Sequence, residues 1–570
     1  MSRITPAEVT TNQTLLMQLR NLVGRRHVVT GNASSRFANG YRFGGGPIEA
    51  AVRPGSLVEM WRVLEACVAA DRIIIVQAAN TGLTGGSTPD GVYDRNVVVI
   101  STSRMGGVYP IRGGHQVVCL AGATLYHLER RLSALGREPH SVIGSSCIGA
   151  SVVGGVCNNS GGALVRRGPA YTEYALFAQV DESGQLRLRN HLGIQLGDDP
   201  ETILRNVEAG DFDDADVESG GRVASAAIAY AEIVRKIDEP APARFNADPQ
   251  RLYEASGSAG RVVVFAVRLD TFAKVERSAV FYIGTDAPDE LTELRRRILS
   301  ESTCLPVLGE YIHREAFDLA DRYGKDTVIA IRALGTDRLP TFFQVKGWLD
   351  RLVKRQRILS ASTSDRLLQT ASALFPDHLP SHMRAFRDRY EHHLILKVAD
   401  DSVDFTRALL GELFPSASGD VFECTTDEAQ RAMLHRFAVA GAAVRYRALH
   451  PDVVEDIVAL DVALPRNARN WFERLPGDIE DLLIGKLYYG HFFCHVFHQD
   501  YLARKGADLD ALKRRLLELM DARGAEYPAE HNVGHFYVAK PALATHYRQL
   551  DPTNVLNPGL GKTSRLRNWQ

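Results

Sequence analysis

Hydrophobic residues in the first part of the chain follow helical and strand spacings in turn. Leucines and a valine recur every three or four positions over residues 14–24, which predicts a short amphipathic helix. A second helix is predicted over 54–70, because Ser56 can cap its N-terminus and a glutamate follows three residues later. Four β-branched residues at 73–76 predict a buried strand. Further elements are predicted at 97–100 (strand), 116–120 (strand) and 124–135 (helix).

The strand at 73–76 leads into a loop of small residues, AANTGLTGGS, at 78–87. Without bulky side chains, backbone N–H groups can approach an anion there, although an ordinary tight turn is the alternative. A second such segment, GSSCIGASVVGGVCNNSGG, covers 144–162. A flexible linker would rarely carry valine, isoleucine and cysteine at this density. Two glycine-rich segments of this kind favour a dinucleotide pyrophosphate bound between two subdomains.

Composition narrows the class of protein. The 570 residues are 45% hydrophobic and 24% charged, with a net charge of −1, so several soluble domains are predicted. A neutral chain has no overall field that would attract nucleic acid, so we expect no nucleic-acid partner. There is no secretory pattern at the start and no apolar run long enough to span a bilayer. Seven scattered cysteines without a C-x-x-C pair indicate reduced thiols in the cytosol.

These segments together resemble the FAD-binding domain of the vanillyl-alcohol-oxidase type. The loop at 78–87 is similar to the family pattern P-x-G-G-G-T-x-L-x-G, and 144–162 is similar to G-A-x-x-G-G-x-x-x-N-x-x-G. The resemblance runs nearly end to end and is strongest in 52–170 and 485–563. Within the family, the chain is most similar to the quinone-linked D-lactate dehydrogenases, which are bacterial peripheral membrane enzymes.

The resemblance implies an α+β fold with a two-subdomain FAD-binding domain and a ferredoxin-like α+β cap. The expected FAD-binding domain covers 1–268, with 520–570 returning to it, and the cap covers 269–519. A basic, membrane-associating insertion is expected within the cap at 311–390. Residues 193–250 are acidic and loop-rich at first, and we predict a surface excursion without chemistry.

The resemblance also implies which residues contact FAD. No histidine occurs at 78–87, so FAD is expected to be bound non-covalently. No strand is followed by G-x-G-x-x-G, so NAD is not expected as a partner. The expected FAD contacts are Ala78, Ala79, Asn80, Thr81, Gly82, Gly86, Ser87, Ser145, Val152, Gly162 and Val264.

A basic segment stands out in this neutral chain. Aromatic residues, including Phe343 and Trp348, lie between the basic ones, and only Asp350 opposes them. A solvated helix face is one interpretation. A surface that sits on anionic lipid is the other, and the resemblance to peripheral membrane enzymes favours it. The basic residues are Arg338, Lys346, Arg351, Lys354, Arg355 and Arg357, followed by Arg384, Arg387 and Arg389.

Three later motifs carry the candidate chemistry. The segment around Arg436 resembles one that family members use to bind a substrate carboxylate, with Arg445 and Arg447 as rivals, and a guanidinium suits this task. His491 and His498 keep the end positions of the family's H-x-G-D-G-N-x-H, and they could converge from a strand and turn.

The third motif is Glu530-His531-Asn532, similar to the family's E-H-G-x-G with Asn532 at the first glycine. In some relatives the two histidines and this glutamate bind a divalent metal, a chemically sensible ligand set. The departures at 492–495 and 532 leave the metal open.

The resemblance implies oxidation of D-lactate to pyruvate by hydride transfer to FAD, with a membrane quinone taking the electrons. Arg436 would fix the carboxylate, His531 would be the base, with a pKa suited to neutral pH, and Glu530, His491 and His498 would assist. The expected location is the cytoplasmic face of the bacterial inner membrane. Alternatives are a dehydrogenase of another 2-hydroxy acid, such as glycolate or 2-hydroxyglutarate, and a flavin-binding membrane scaffold without turnover.

Overall fold

A computed structural model describes residues 6–40, 42–140, 149–325, 328, 329, 331, 369 and 377–570. Within these residues the chain forms an α+β fold with three larger β-sheets. The first two sheets come from the N-terminal half of the chain. The third uses strands between residues 278 and 504.

The first sheet has the strand order β1-β2-β4-β3 and is parallel except for β1. Its strands are β1 (Val28–Val29), β2 (Ala50–Val52), β3 (Ile73–Gln77) and β4 (Val97–Ser101). The second sheet is antiparallel in the order β5-β6-β10-β8-β9. Its strands are β5 (Val108–Ile111), β6 (Gln116–Leu120), β8 (Ala175–Val180), β9 (Leu186–His191) and β10 (Val263–Asp270), while β7 (Arg137–Glu138) pairs with β11 (Phe272–Ala273).

The third sheet is antiparallel throughout, in the order β15-β12-β14-β13-β17-β18-β16. Its strands are β12 (Ser278–Thr285), β13 (Leu308–His313), β14 (His392–Ala399), β15 (Gly419–Glu423), β16 (Val454–Ala463), β17 (Leu483–His491) and β18 (Val496–Arg504).

The α-helices of the described residues flank these sheets. They are α1 (Pro6–Val23), α2 (Ser35–Ala38), α3 (Leu57–Ala69), α4 (Leu125–Ser133), α5 (Val152–Cys157), α6 (Pro200–Ala209), α7 (Ala227–Arg235), α8 (Pro288–Glu301), α9 (Arg314–Tyr323), α10 (Ser381–Arg389), α11 (Ser402–Leu413), α12 (Thr426–Leu449), α13 (Gly477–Glu480), α14 (Leu509–Ala522) and α15 (Pro541–Leu550).

Local sequence signals account for the elements of the N-terminal part. The Ser56 side chain accepts a hydrogen bond from the Glu59 amide at the start of α3, as the capping pattern predicts. Strand β3 is nearly all buried, as its β-branched run predicts. Strand β10, which carries the expected FAD contact Val264, lies between β6 and β8 in the second sheet. Helix α1 begins at Pro6, earlier than the predicted 14–24, and its residues Leu15, Leu19 and Val23 within the predicted range are buried.

The C-terminal segment packs back on the first sheet. The Ile74 amide of β3 donates to the carbonyl of Val555, and the Asn557 amide donates to the carbonyl of Ile74. The two ends of the chain therefore share one core, in which Leu556 packs with β3 and β4 residues. The domain boundaries at 268 and 519, the return of 520–570 and the limits 311–390 of the insertion stay predictions.

The predicted basic surface lies partly outside the described residues, since Arg338, Lys346, Arg351, Lys354, Arg355 and Arg357 all fall there. The three arginines of α10 are described, and each pairs with carboxylates: Arg384 with Asp321 and Asp377, Arg387 with Asp318 and Asp388, and Arg389 with Asp420. The contact of these arginines with anionic lipid stays a prediction, with the addition that each is paired with at least one aspartate. Across the described residues, no helix combines the length and apolarity needed to cross a bilayer.

Buried histidines of the third sheet make stability depend on pH. Burial lowers the pKa of His392 and of His393 to about 3, so both are neutral in the folded protein at pH 7. Below pH 6.5 these two histidines become protonated in the unfolded chain but stay neutral in the folded protein. The free energy of unfolding therefore falls as the pH falls. We expect each histidine to cost about 2 kcal/mol of unfolding free energy between pH 7 and pH 5.

Urea unfolding at pH 7 and pH 5 measures this loss. His393→Leu should shrink the difference between the two pH values by about 2 kcal/mol, because one titrating site is removed. His127→Leu is the control, since His127 lies at the exposed surface of α4. An unchanged difference in His393→Leu would contradict the assignment.

Candidate active site

Two neighbouring strands of the third sheet bring the motif histidines together. His491 ends β17, and His498 lies in β18 after a tight turn at Phe492–Cys494. In the antiparallel register His498 is opposite Tyr489, two residues before His491, so both histidines lie on the same face of the sheet. Their ring centroids are 5.3 Å apart. The prediction that they converge from a strand and turn is confirmed.

Carboxylates surround this histidine pair in an ordered way. The Nε2 atoms of His491 and His498 lie 3.2 and 3.8 Å from Oε2 of Glu530. Each Nδ1 faces another carboxylate: His491 Nδ1 is 2.6 Å from Glu310, and His498 Nδ1 is 3.4 Å from Asp461. The Nε2 nitrogens and the Glu530 carboxylate therefore face a common point. The carboxylate at each Nδ1 orients the imidazole ring.

This geometry fits a divalent cation. One ligand atom from each of His491, His498 and Glu530 lies within 4.8 Å of the others. Two imidazoles and one carboxylate suit such an ion, and ligating histidines usually donate their other N–H to a carboxylate. Glu310 and Asp461 stand where those carboxylates would be needed.

Asp461 holds the Glu530-His531 segment in place. One oxygen, Oδ2, accepts hydrogen bonds from the backbone amides of Glu530 (2.7 Å) and His531 (3.1 Å) and from Nδ1 of His531 (2.7 Å). Because Nδ1 is engaged by the carboxylate, Nε2 of His531 is the nitrogen left to take a proton. The His531 side chain is about one-third exposed (32%), so a small molecule can reach it.

The buried charges shift the pKa values of these groups. Burial opposes the charged form of His491, but Glu310 and Glu530 outweigh it and raise its pKa to about 10. Burial likewise opposes protonation of His531, and Asp461 more than compensates, so the pKa of His531 is raised. His531 is therefore a stronger base than an ordinary histidine.

Arg436 is the one of the three candidate arginines that reaches this site. Its Nη2 lies 2.9 Å from Glu310, and its guanidinium sits 4.6 Å from the centroid of the Tyr489 ring. Arg445 instead donates to the Tyr323 carbonyl, and Arg447 pairs with Asp456. Glu310 offsets part of the charge of Arg436, a pairing that the sequence did not indicate.

The motif of the base packs against both glycine-rich segments. The Asn532 side chain donates a hydrogen bond to the side chain of Asn158 at the end of α5. The same side chain leaves no space for a Cβ at Gly86, because that Cβ would lie 2.6 Å from Nδ2 of Asn532. A Cβ at Gly161 would clash with Oε1 of Glu530. Glycine is therefore favoured at both positions because the Glu530-His531-Asn532 segment passes so close.

The predicted FAD residues form two groups around this contact. Asn80 has a left-handed backbone conformation (φ 53°). Its side-chain Nδ2 donates to the Asn39 carbonyl, and the Ser87 hydroxyl donates to its Oδ1. Gly82 is exposed and has open space at its Cβ position, so backbone N–H groups are accessible there. Val152 and Val264 lie in one apolar cluster beneath the second segment. Ala78, Ala79, Thr81 and Gly86 lie in the same exposed or half-buried loop, and Ser145 lies outside the described residues.

Three residues near the site were missed as functional residues. Arg244 is buried and its Nη2 donates to the Gly162 carbonyl (2.6 Å) and to Oε1 of Glu530 (2.5 Å). The prediction that 193–250 is a surface excursion without chemistry is therefore wrong at Arg244. Glu310 lies in a strand with no motif, and Asp461 begins the otherwise apolar segment DVALP. Asp461 was the one residue of these three with a signal in the sequence that could have indicated its role.

Comparison with known proteins agrees with this arrangement. The family model "D-lactate dehydrogenase, membrane binding" matches residues 280–569, and "FAD binding domain" matches 48–185. The chain is 55% identical to the quinone-dependent D-lactate dehydrogenase of Escherichia coli K12 over 98% of both chains. It is 53% identical to the enzyme of that name from Haemophilus influenzae, over 98% of this chain and 99% of the relative. The chain belongs to the quinone-dependent D-lactate dehydrogenase family.

Solved structures extend the likeness at the level of the fold. The structure of p-cresol methylhydroxylase with substrate bound has a TM-score of 0.57 and 12% identity, and 98% of each chain is covered. The α+β fold with an FAD-binding part of the vanillyl-alcohol-oxidase type is thus confirmed for this member of the D-lactate dehydrogenase family. FAD is its cofactor.

The Arg244–Glu530 pair should be strongly coupled in stability. Arg244→Met leaves the Glu530 carboxylate buried without its partner, so we expect a loss of about 3 to 5 kcal/mol in unfolding free energy. The double variant with Glu530→Gln should lose less than the sum of the two single variants. Urea unfolding of all four proteins gives the coupling energy.

Arg62→Met is the matched control for this cycle, because the Arg62–Glu201 pair is half-exposed. It should change stability by less than about 1 kcal/mol. Additive effects of Arg244→Met and Glu530→Gln would show that the two side chains are not energetically linked.

Proposed function

We propose that this chain oxidises D-lactate to pyruvate and passes the electrons to a membrane quinone. The observation that carries the proposal is the Asp461–His531 pair beside the cluster of His491, His498 and Glu530, packed directly against both glycine-rich segments. A base and a polar cluster at the flavin-binding segments suit removal of a proton and a hydride from a 2-hydroxy acid. The printed names of the relatives support the same substrate and acceptor.

We assign FAD to Ala78–Gly82, Gly86 and Ser87 on the first loop, and to Ser145, Val152, Gly162 and Val264 on the other side. Binding is non-covalent, since 78–87 contains no histidine. The proposed division is an FAD-binding domain at 1–268, joined by 520–570, and a cap at 269–519. This sequence has no strand followed by the G-x-G-x-x-G motif that binds NAD, so we propose FAD as the sole hydride acceptor for D-lactate.

The chain's own residues prepare the substrate for oxidation. Arg436 binds the carboxylate of D-lactate; its Nε–H has no hydrogen-bond partner among the described residues, so a donor is available beside the Glu310 pair. Nε2 of His531 accepts the hydroxyl proton as the C2–O bond becomes a carbonyl, and Asp461 stabilises the imidazolium that results. When bound, FAD supplies the acceptor for the C2 hydride.

The set of His491, His498 and Glu530 would hold a divalent metal if the site uses one. Such an ion supplies a Lewis acid that lowers the pKa of a bound hydroxyl. Around it, Glu310 and Asp461 keep the imidazole rings oriented, and Arg244 holds Glu530 toward the histidines.

We place the chain peripherally on the cytoplasmic face of the bacterial inner membrane, on anionic lipid. The family model named for membrane binding covers 280–569 and supports membrane contact. The basic residues between 338 and 357 would provide the charge, at about 1 kcal/mol for each one near the surface. The α10 arginines contribute little, since aspartates already neutralise them.

The substrate and the base can be tested together. Anaerobic mixing with D-lactate should bleach the FAD absorbance, while L-lactate, glycolate and 2-hydroxyglutarate should do so far more slowly. His531→Ala should lower kcat/KM for D-lactate by about 100-fold or more, as expected for loss of a general base. Stopped-flow absorbance measures both, with His127→Ala as the control.

Faster bleaching by glycolate or 2-hydroxyglutarate would favour the alternative dehydrogenases, and no bleaching by any acid would favour a scaffold without turnover. If His531→Ala kept most of its kcat/KM, the base would be a different group.

Metal dependence has its own experiment. The protein is dialysed against a chelator, and its metal content and its D-lactate activity with a dye acceptor are then measured. If the His491–His498–Glu530 set holds a metal, dialysis should remove one equivalent of metal together with the activity. Zn²⁺ or Mn²⁺ should restore the activity of the wild type and not of His498→Ala. Full activity in metal-free protein would exclude a metal role for the set.

A further inference from the structure

Helix α12 (Thr426–Leu449) has an apolar surface on the side that faces away from the protein. Its inward side carries His435 and Arg436, which are buried against the third sheet. On its outward side, a stripe at helical spacing consists of Leu434, Phe437, Ala440, Gly441, Val444 and Ala448. We call this set the α12 stripe.

The stripe is unusual for a water-facing surface. Residues 437–444 read FAVAGAAV, eight positions without a polar side chain. Nevertheless Phe437 is 37% exposed and Val444 is 52% exposed. A helix that is apolar on all sides is normally buried in protein or in lipid. Large exposed side chains in a continuous apolar stripe therefore mark a contact surface.

Two residues of the predicted membrane-associating insertion (311–390), Tyr323 and His378, contact this helix and the histidine that follows it. On the entering side, Arg445 Nη1 donates to the Tyr323 carbonyl at the end of α9, and the Tyr323 hydroxyl lies 3.1 Å from Nε2 of His450. On the returning side, Nε2 of His378 lies 3.3 Å from Nδ1 of His435. The predicted insertion therefore contacts the same helix that carries the stripe, through the buried residues His435 and Arg445.

We propose that the α12 stripe rests in the membrane interface, with Phe437 and Val444 at the boundary between headgroups and acyl chains. The proposal rests on the membrane association proposed above and adds an apolar contact to the electrostatic one. Lipid is the occupant because the family model named for membrane binding spans the helix and because the predicted insertion contacts this same helix. An amphipathic helix with one uncharged face lies in the plane of such an interface.

The electrostatic and the apolar contributions to membrane binding respond differently to salt. Attraction between basic residues and anionic headgroups is screened in 1 M salt, where the Debye length is about 3 Å. Burial of apolar side chains persists at that salt concentration. Wild-type protein should therefore keep a residual affinity for vesicles in 1 M NaCl that depends on Phe437 and Val444.

Vesicle flotation with the full-length holoprotein tests this. The probe is phosphatidylcholine vesicles with 30% phosphatidylglycerol, at about 0.1 M and 1 M NaCl. The double variant Phe437→Ser/Val444→Ser should lose at least about tenfold in partitioning at the higher salt, because two half-exposed apolar side chains no longer enter lipid. Phe437→Leu/Val444→Leu should retain wild-type partitioning.

The matched control is Val223→Ser/Ile228→Ser, which removes two apolar side chains that are 48% and 83% exposed near α7, away from the stripe. It should bind vesicles like the wild type. All variants should reduce a soluble dye with D-lactate at the wild-type rate, because none of the substituted residues touches the active site.

Each other outcome overturns the proposal in a recognisable way. If the serine double variant partitions like the wild type, the stripe does not contact lipid, and membrane association stands through other residues. If the wild type binds neither at low nor at high salt, the proposed membrane association fails as well. If sedimentation shows that the serine variant only loses self-association, the stripe is instead a contact between two copies of the chain.

Discussion

One carboxylate oxygen, Oδ2 of Asp461, organises the candidate active site. It accepts two backbone amides and the imidazole of His531, so it fixes the position of the Glu530-His531 segment and the tautomer of its histidine at once. The other oxygen faces His498. A buried carboxylate with this many donors remains ionised, and its charge makes the neighbouring imidazole a stronger base.

Charge balance extends outward from that group. Glu530 is compensated by Arg244 and His491, and Glu310 is compensated by His491 and Arg436. Each of these buried carboxylates has an opposite charge within hydrogen-bonding distance, which is the condition for keeping ions in an apolar interior. The same pairs join parts of the chain that are far apart in sequence, so the active site is also a structural connection between the FAD-binding segments and the third sheet.

Much of this could be predicted from local sequence. The capped helix α3, strand β3 and the glycine-rich loops follow from short-range rules of side-chain volume and backbone freedom. Family motifs identified His491, His498, Glu530 and Arg436, because each lies within a short matching segment. Arg244 and Glu310 carry no such local signal. Their importance arises from partners 286 and 181 residues away, which no window of sequence contains.

The sequence by itself determined the α+β class, the FAD-binding loops and the identity of the candidate base. Those properties depend on residues that are neighbours along the chain. Only the tertiary structure decided which carboxylate orients which histidine, and that the arginines of α10 are neutralised by aspartates. It also decided that an uncharged stripe of α12 faces outward. Strand register and helix packing set these pairings, and a linear sequence does not state them.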